Sequence, residues 1–296
     1  MQATSRLVKT ELKKAFGANP WFWASLAVGM AFAVGSAIRS ATVFQNTLDM
    51  ALKYWDQSDA LYSATSCFSF WMLVSPSEWP TGVFILIWPL LAALPYAWSW
   101  SVEKSTGLVA QQSARASRLS CLGAKALATF LTAATVVAVP LLANLVMCAC
   151  IAPASPNWVS DVLYLGVTRD APLSELFYNV PLAFCLLWTL VAALVAGLWA
   201  VLVLSLTALL DNFAPTLAAS YLVLHVLSYV GSQLSAILLT WVGPDVSRSA
   251  LASLDLFSVL GVRSQPDATA ALALSVALLT LLSALASVLA LRRDIL

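Results

Sequence analysis

Long apolar runs separated by short polar stretches dominate the chain. Six runs approach or exceed the roughly 20 residues a helix needs to cross about 30 Å of hydrocarbon: 21–38, 80–101, 126–152, 180–210, 216–242 and 268–291. The third carries Pro140, which predicts a kink, and the fourth is long enough to tilt or to begin as an interfacial piece. Only Asp211, Asn212 and Phe213 separate the fourth and fifth runs, which predicts a tight helical hairpin. Ahead of the first run, 5–18 is amphipathic: Val8, Leu12, Ala15 and Phe16 share one face, while Arg6, Lys9, Thr10, Lys13 and Lys14 share the other. With Pro20, Trp21 and Trp23 following, this segment, which also holds Glu11, predicts a helix lying in the headgroup layer against membrane lipid.

The remaining segments alternate between two sides. A loop over 102–125 joins runs two and three on one side; loops over 39–79, 153–179 and 243–267 lie on the other. The first of these has a helical stripe (Phe44, Leu48, Ala51, Leu52, Trp55) and the apolar stretch Phe68–Val74, which predict a small external cap resting partly on the membrane. The stretch 250–261 is apolar but too short to span, and reads as a re-entrant or surface helix. The predicted fold is one all-α integral membrane domain over 1–296, with six transmembrane helices, an N-terminal interface helix and helical extracellular loops.

Composition removes the soluble alternatives. Apolar residues make up 61% of the 296 and charged residues 10%, with a mean hydropathy of +0.87. A soluble domain carries about 25% charged residues, so lipid must cover much of this surface. The first apolar run is longer than the core of a cleaved signal peptide and is expected to be retained. Charge also orients the chain. Arg6, Lys9, Lys13, Lys14, Lys104, Arg115, Arg118, Lys125, Arg292 and Arg293 fall on the side of both termini, against Arg39, Lys53, Arg169, Arg248 and Arg263 on the other. Acidic residues lean the opposite way, so both termini are expected in the cytoplasm.

Candidate chemistry is sparse. Cys67, Cys121, Cys148, Cys150 and Cys185 lack ligand spacing, and Cys148 and Cys150 would point about 200° apart on a helix; packing is the expected role, with Cys67 the one candidate for an exposed thiol. No metal site, cofactor site or nucleic-acid surface is indicated. Gly123-Ala124-Lys125 resembles the end of a phosphate-binding loop, but Leu119 stands where its first glycine belongs. The single histidine, His225, shares run five with Ser220, Ser228 and Ser232, yet no nucleophile or zinc-protease motif surrounds it. It joins Asn144 and Gln233 as a polar group expected to face other helices or a pathway. The spans hold almost no charge, which argues against proton- or sodium-driven transport. Of the 12 tryptophans, Trp21, Trp23, Trp79, Trp98, Trp100 and Trp241 fit interfacial belts, while Trp88, Trp188 and Trp199 lie deeper, where packing is the expected role.

The connection after run two is the most informative stretch. It reads Leu90-Leu91-Ala92-Ala93-Leu94-Pro95-Tyr96-Ala97-Trp98-Ser99-Trp100-Ser101-Val102-Glu103-Lys104-Ser105-Thr106-Gly107 and continues through Arg115-Ala116-Ser117-Arg118 to Gly123-Ala124-Lys125. An acidic residue (Glu103), a glycine a few positions on (Gly107), a small-plus-Arg step over 113–118 and a lysine opening the next span (Lys125) follow one another in order. This pattern resembles the permease subunits of type-2 ABC exporters, and Pro140, Asn144 and Pro153 resemble one bacterial branch of that family. The resemblance is best over 80–153 and rests on topology elsewhere. It implies that 104–120 is a coupling helix which docks on a separate ATPase subunit. Glu103, Gly107, Arg115, Arg118 and Lys125 would be its working residues, with Lys9, Glu11, Lys13 and Lys14 on the interface helix. It further implies a second permease copy or paralogue paired through spans one and five, a bacterial cytoplasmic membrane, and no cofactor or enzymatic activity in this chain, since ATP binds the partner. The uncharged spans point to a hydrophobic or amphipathic cargo. Glu103 is expected to pair with Lys125 or with a basic residue of the interface helix. An ATP-independent six-span transporter or channel is the alternative, and an intramembrane enzyme is less favoured.

Overall fold

The computed structural model describes residues 2–17, 19–55, 66–74, 78–156, 167, 171–241, 257 and 268–292. Ten helices are described, and no strand occurs among these residues. They are α1 (Gln2–Phe16), α2 (Pro20–Trp55), α3 (Trp79–Ala93), α4 (Ser99–Ser105), α5 (Leu108–Arg115), α6 (Arg118–Ile151), α7 (Ser174–Asn179), α8 (Pro181–Leu210), α9 (Phe213–Trp241) and α10 (Ala268–Arg292). Five of them, α2, α6, α8, α9 and α10, are long and apolar enough to cross a membrane. The remaining predicted span, run two, is represented by α3, an apolar helix of only 15 residues, or about 22 Å at 1.5 Å per residue.

Local chemistry sets these boundaries. Asn19 opens α2 by accepting the Trp21 N–H at 3.1 Å, and Pro20 supplies a first helical residue that needs no donor. With no proline or glycine between Ile38 and Trp55 to stop it, α2 runs on for 36 residues, so its far half is one continuous helix where the sequence predicted a loop with a helical stripe. Run two does the reverse. Pro95 lacks the N–H that would continue the ladder, and the chain turns over 94–98 instead of remaining helical to 101. Asp211 ends α8 in the left-handed region (φ 59°), and α9 begins two residues later, as the tight hairpin requires.

The core is built around α8, which packs against α3, α6, α7, α9 and α10. Trp88 of α3 and Trp188 and Trp199 of α8 are buried there; Trp199 Nε1 donates to the Pro89 carbonyl at 2.9 Å. These deep tryptophans therefore pack. α2 lies along α6, where Gly29 matters: a Cβ at that position would come within 2.8 Å of Pro140 Cγ.

The stretch over 66–74 departs furthest from expectation. Rather than capping the membrane surface it is buried within the bundle, with Trp71, Met72 and Leu73 fully covered. A non-helical backbone in apolar surroundings must find partners for its polar groups. Asn144 supplies one: its Oδ1 accepts the Met72 N–H and its Nδ2 donates to the Ala33 carbonyl, both at 3.0 Å. Trp71 Nε1 donates to the Leu141 carbonyl at 3.1 Å. Asn144 thus joins α2, α6 and the buried stretch. Of the predicted piece 250–261, only Phe257 lies among the described residues.

Candidate functional site

α1 is amphipathic as its sequence requires: Arg6, Lys9, Thr10 and Lys13 are exposed, Ala15 is buried, and Leu12 and Phe16 are half-buried. Its inner face rests on α6, where Ala15 meets Tyr96 and Ala128. Glu11 sits on that inner face, and the surroundings that accept Ala15 would reject a lone carboxylate. Its partners make the burial tolerable.

Four charged side chains close a ring there. Lys14 Nζ lies 3.3 Å from Glu11 Oε1 and 2.9 Å from Glu103 Oε1. Lys125 Nζ lies 3.0 Å from Glu11 Oε2 and 2.5 Å from Glu103 Oε2. Each carboxylate gives one oxygen to each ammonium, so the signs alternate around the ring and its charge sums to zero. Tyr96 adds a fifth member by donating its hydroxyl to Glu11 Oε2 at 2.7 Å. Glu11 and Lys125 are each 1% exposed, Glu103 13% and Lys14 37%, so the ring is dry at one edge and wet at the other. Three elements meet in it: α1, α4 and the first turns of α6.

Electrostatics follow from that geometry. Burial pushes the Glu11 carboxyl up, but Lys125, the Tyr96 hydroxyl and Lys14 together outweigh burial and hold it below its ordinary value. Burial pulls Lys14 down, yet Glu103 and Glu11 hold it above the usual lysine value. Both groups stay ionised through the neutral range.

Glu103 pairs with both partners expected of it, Lys125 and a basic residue of the interface helix. The neighbouring Lys104 reaches the other way and meets Asp211 Oδ1 at 2.7 Å, at the α8–α9 turn. That bridge is open to water, 23% and 35% exposed on its two sides. An open groove of about 710 Å³ lies beside it, with Trp21, Trp98, Val102, Asp211 and Phe213 among its walls.

The predicted coupling helix over 104–120 is two pieces. Gly107 adopts φ 74°, a left-handed geometry that glycine takes at little cost, and its N–H closes on the Lys104 carbonyl at 3.0 Å. α5 follows, then a break at Ala116, and Ser117 caps α6 by accepting the Ser120 N–H at 3.2 Å. Arg118 is exposed on the first turn of α6, while the Arg115 side chain lies outside the described residues.

Other candidates are placed more simply. His225 is half-buried between the rings of Tyr221 and Phe257, with centroids at 4.4 and 4.7 Å. The hydroxyls of Ser220 and Ser232 bond carbonyls of their own helix, at Leu217 and Tyr229. Neither hydroxyl is aimed at the imidazole as a nucleophile would be. Gln233 is exposed, so it forms none of the buried contacts that Asn144 makes. Cys67 is buried, against the exposed thiol considered from its loop position; Cys150 is the exposed cysteine. Among the described residues, no group of three or more His, Cys, Asp or Glu side chains is arranged to hold a metal.

Two participants were not singled out from the sequence: Tyr96 as a ring member, and Asp211 as the partner of Lys104. For the ring a signal existed. Glu11 is the only acidic residue on α1 and falls with its apolar positions, while Lys125 begins an otherwise apolar run. Two misplaced opposite charges invite pairing.

Fold and site together define an all-α, multi-pass membrane protein with a charged joint between a surface helix and the loop that follows its second apolar segment. Comparison with protein-family models, with curated proteins and with solved structures gives no match to this chain. Its function is therefore read from its own residues.

Proposed function

We propose that the chain is the transmembrane permease subunit of an ATP-binding-cassette exporter, with six spans, both termini in the cytoplasm of a bacterium and ATP hydrolysis in a separate partner chain. The observation that carries this reading is the charge ring. A permease driven from outside the membrane must pass a push on its cytoplasmic loop to its spans without losing it in loose side chains. α4 is joined by Glu103 to α1 and α6, and by Lys104 to the α8–α9 turn. A force on α4–α5 is thereby delivered to three parts of the bundle. In this reading α3 is the short second span, α4–α5 with Gly107, Arg115 and Arg118 form the docking surface, and a second permease copy or paralogue completes the transporter. The cargo is hydrophobic or amphipathic. In keeping with that, an apolar groove of about 440 Å³ opens between α8, α9 and α10.

The test is co-purification from gently solubilised membranes of the native host, comparing the wild type with Arg115→Glu/Arg118→Glu. An ATPase with a phosphate-binding loop should accompany the wild type and be lost from the variant. Failure of any ATPase to co-purify would remove the exporter reading and favour a chain that transports by itself.

A further inference from the structure

Beside the ring, at the elbow between α1 and α2, lies a cavity of about 240 Å³. Lys14, Pro20, Tyr96, Trp98, Ser99 and Glu103 are among its walls. The hydrogen bonds around it leave donors in excess. Two of the three Lys14 N–H groups go to Glu11 and Glu103; the third has no acceptor among the described residues, on a side chain that is 37% exposed and lines the cavity. Ser99 is 1% exposed, and its hydroxyl has no hydrogen-bond partner, a cost in a buried setting that a ligand oxygen would remove. The acceptors in the wall already have donors: Asn19, which also lines the cavity, accepts the Trp21 N–H through Oδ1. Both Glu103 oxygens are engaged by ammonium groups, and the Pro95 carbonyl already accepts from Asn19 Nδ2 and Trp98 Nε1. The ring charge sums to zero, so it does not repel an anion from the outer edge where Lys14 stands. Pro20 and the rings of Tyr96 and Trp98 make most of the remaining wall apolar, with Asn19 its polar member.

Position narrows the chemistry further. Trp21 and Trp23, next along the chain, are 54% and 57% exposed on a helix long enough to span, and exposed tryptophans at a span end mark the headgroup level of a bilayer. The group abundant at that level which offers several acceptor oxygens and continues into apolar substance is the phosphodiester of a phospholipid. We infer that the elbow cavity binds a membrane phospholipid by its phosphodiester, with Lys14 and Ser99 donating to the phosphate oxygens and the glycerol end against Pro20 and Trp98. A lipid held there wedges the angle between the surface helix and the first span, beside the joint that fixes α1.

The test uses the full chain in phospholipid-free maltoside micelles, with a phosphatidylglycerol probe bearing a diazirine in its headgroup. Labelled peptides are mapped by mass spectrometry. Labelling should concentrate on 14–20 and 95–103. It should fall about 10- to 150-fold in Ser99→Ala, the range that loss of one hydrogen bond to a charged acceptor gives, and persist in Ser99→Thr, with both variants unfolding at the wild-type temperature. Unlabelled phosphatidylethanolamine should compete, and a diacylglycerol, which lacks the phosphate, should not. Labelling spread evenly over interfacial residues, or unchanged in Ser99→Ala, would overturn the site. Equal competition by the diacylglycerol would overturn phosphodiester recognition. Full competition by millimolar inorganic phosphate would show a free-anion site and overturn the lipid assignment.

Discussion

Glu103 and Lys104 are consecutive residues on one short helix, yet they anchor two joints of opposite character. Glu103 reaches into a nearly dry ring in which every carboxylate oxygen meets an ammonium, and Lys104 meets a single carboxylate at the partly exposed α8–α9 turn. The difference teaches what each joint is suited to. Buried charges are costly to separate, because each is left without water or partner; an exposed pair exchanges its partner for water almost freely. The ring therefore ties α1, α4 and α6 to one another, while the partly exposed Lys104–Asp211 bridge is the less costly of the two to separate.

Removing one side of the ring breaks the comparison most severely. Lys125→Met leaves two carboxylates facing each other in a buried site and should cost about 3–5 kcal/mol, the range for an orphaned buried partner. It is read as a lowered unfolding temperature in detergent. A loss under about 1 kcal/mol would make the ring no different from the surface bridge. Tyr96→Phe keeps the charges and removes only the hydroxyl that donates to Glu11. About 1.5–3 kcal/mol is expected for a bond to a charged acceptor, by the same unfolding measurement.

The pH dependence sharpens the contrast. The Glu11 carboxyl titrates below its ordinary value when folded, so its contribution is present above the ordinary carboxylate range and is lost as pH falls through the lower folded value. Lys14 titrates above its ordinary value, so its contribution is present below the lysine range and is lost as pH rises through the raised value. Wild-type stability should thus be flat across the neutral range and fall at both extremes. The acid limb should be shallower in Glu11→Gln, and a wild-type acid limb identical to that of Glu11→Gln would sink the assignment. The smallest effect belongs to the open bridge: Lys104→Ala should change stability by about 0–1 kcal/mol. Any difference should vanish in molar salt, where the screening length shrinks to about 3 Å.

How legible was this in the residues? The apolar runs disclosed the helices because lipid leaves a long, simple signature; the run over 180–210 becomes α8, Pro181–Leu210. Their ends were less legible, because they depend on single residues. Pro95 cut the second run short, whereas α2 continued to Trp55 for want of any breaker. Long-range pairing was the hardest to see. The Glu103–Lys125 contact was within reach because both flank one loop, but Lys125 with Glu11 joins residues 114 apart, and no local pattern specifies such a pair. The stretch 66–74 was read as a surface cap because its alternative partner, Asn144, lies 72 residues beyond Met72. Asn144 is expected from the sequence to face other helices or a pathway, but nothing local marks that stretch as its partner. The break at Gly107 was present in the sequence, but the chain's need for a left-handed turn there emerges only from the directions of α4 and α5.

The most direct test of the ring as a closed unit is a charge exchange between two adjacent members, Glu103→Lys/Lys125→Glu. If Glu103 and Lys125 formed an isolated pair, reversing both would restore the bond and return stability close to wild type. In a ring the exchange sets the carboxylate brought to position 125 against Glu11, and the ammonium brought to position 103 against Lys14. The double variant should then be no more stable than either single one. Reversing all four charges together should recover more stability than reversing two. Thermal unfolding that shows full rescue by the two-residue exchange would contradict the closed ring, and with it the claim that the ring ties α1, α4 and α6 to one another.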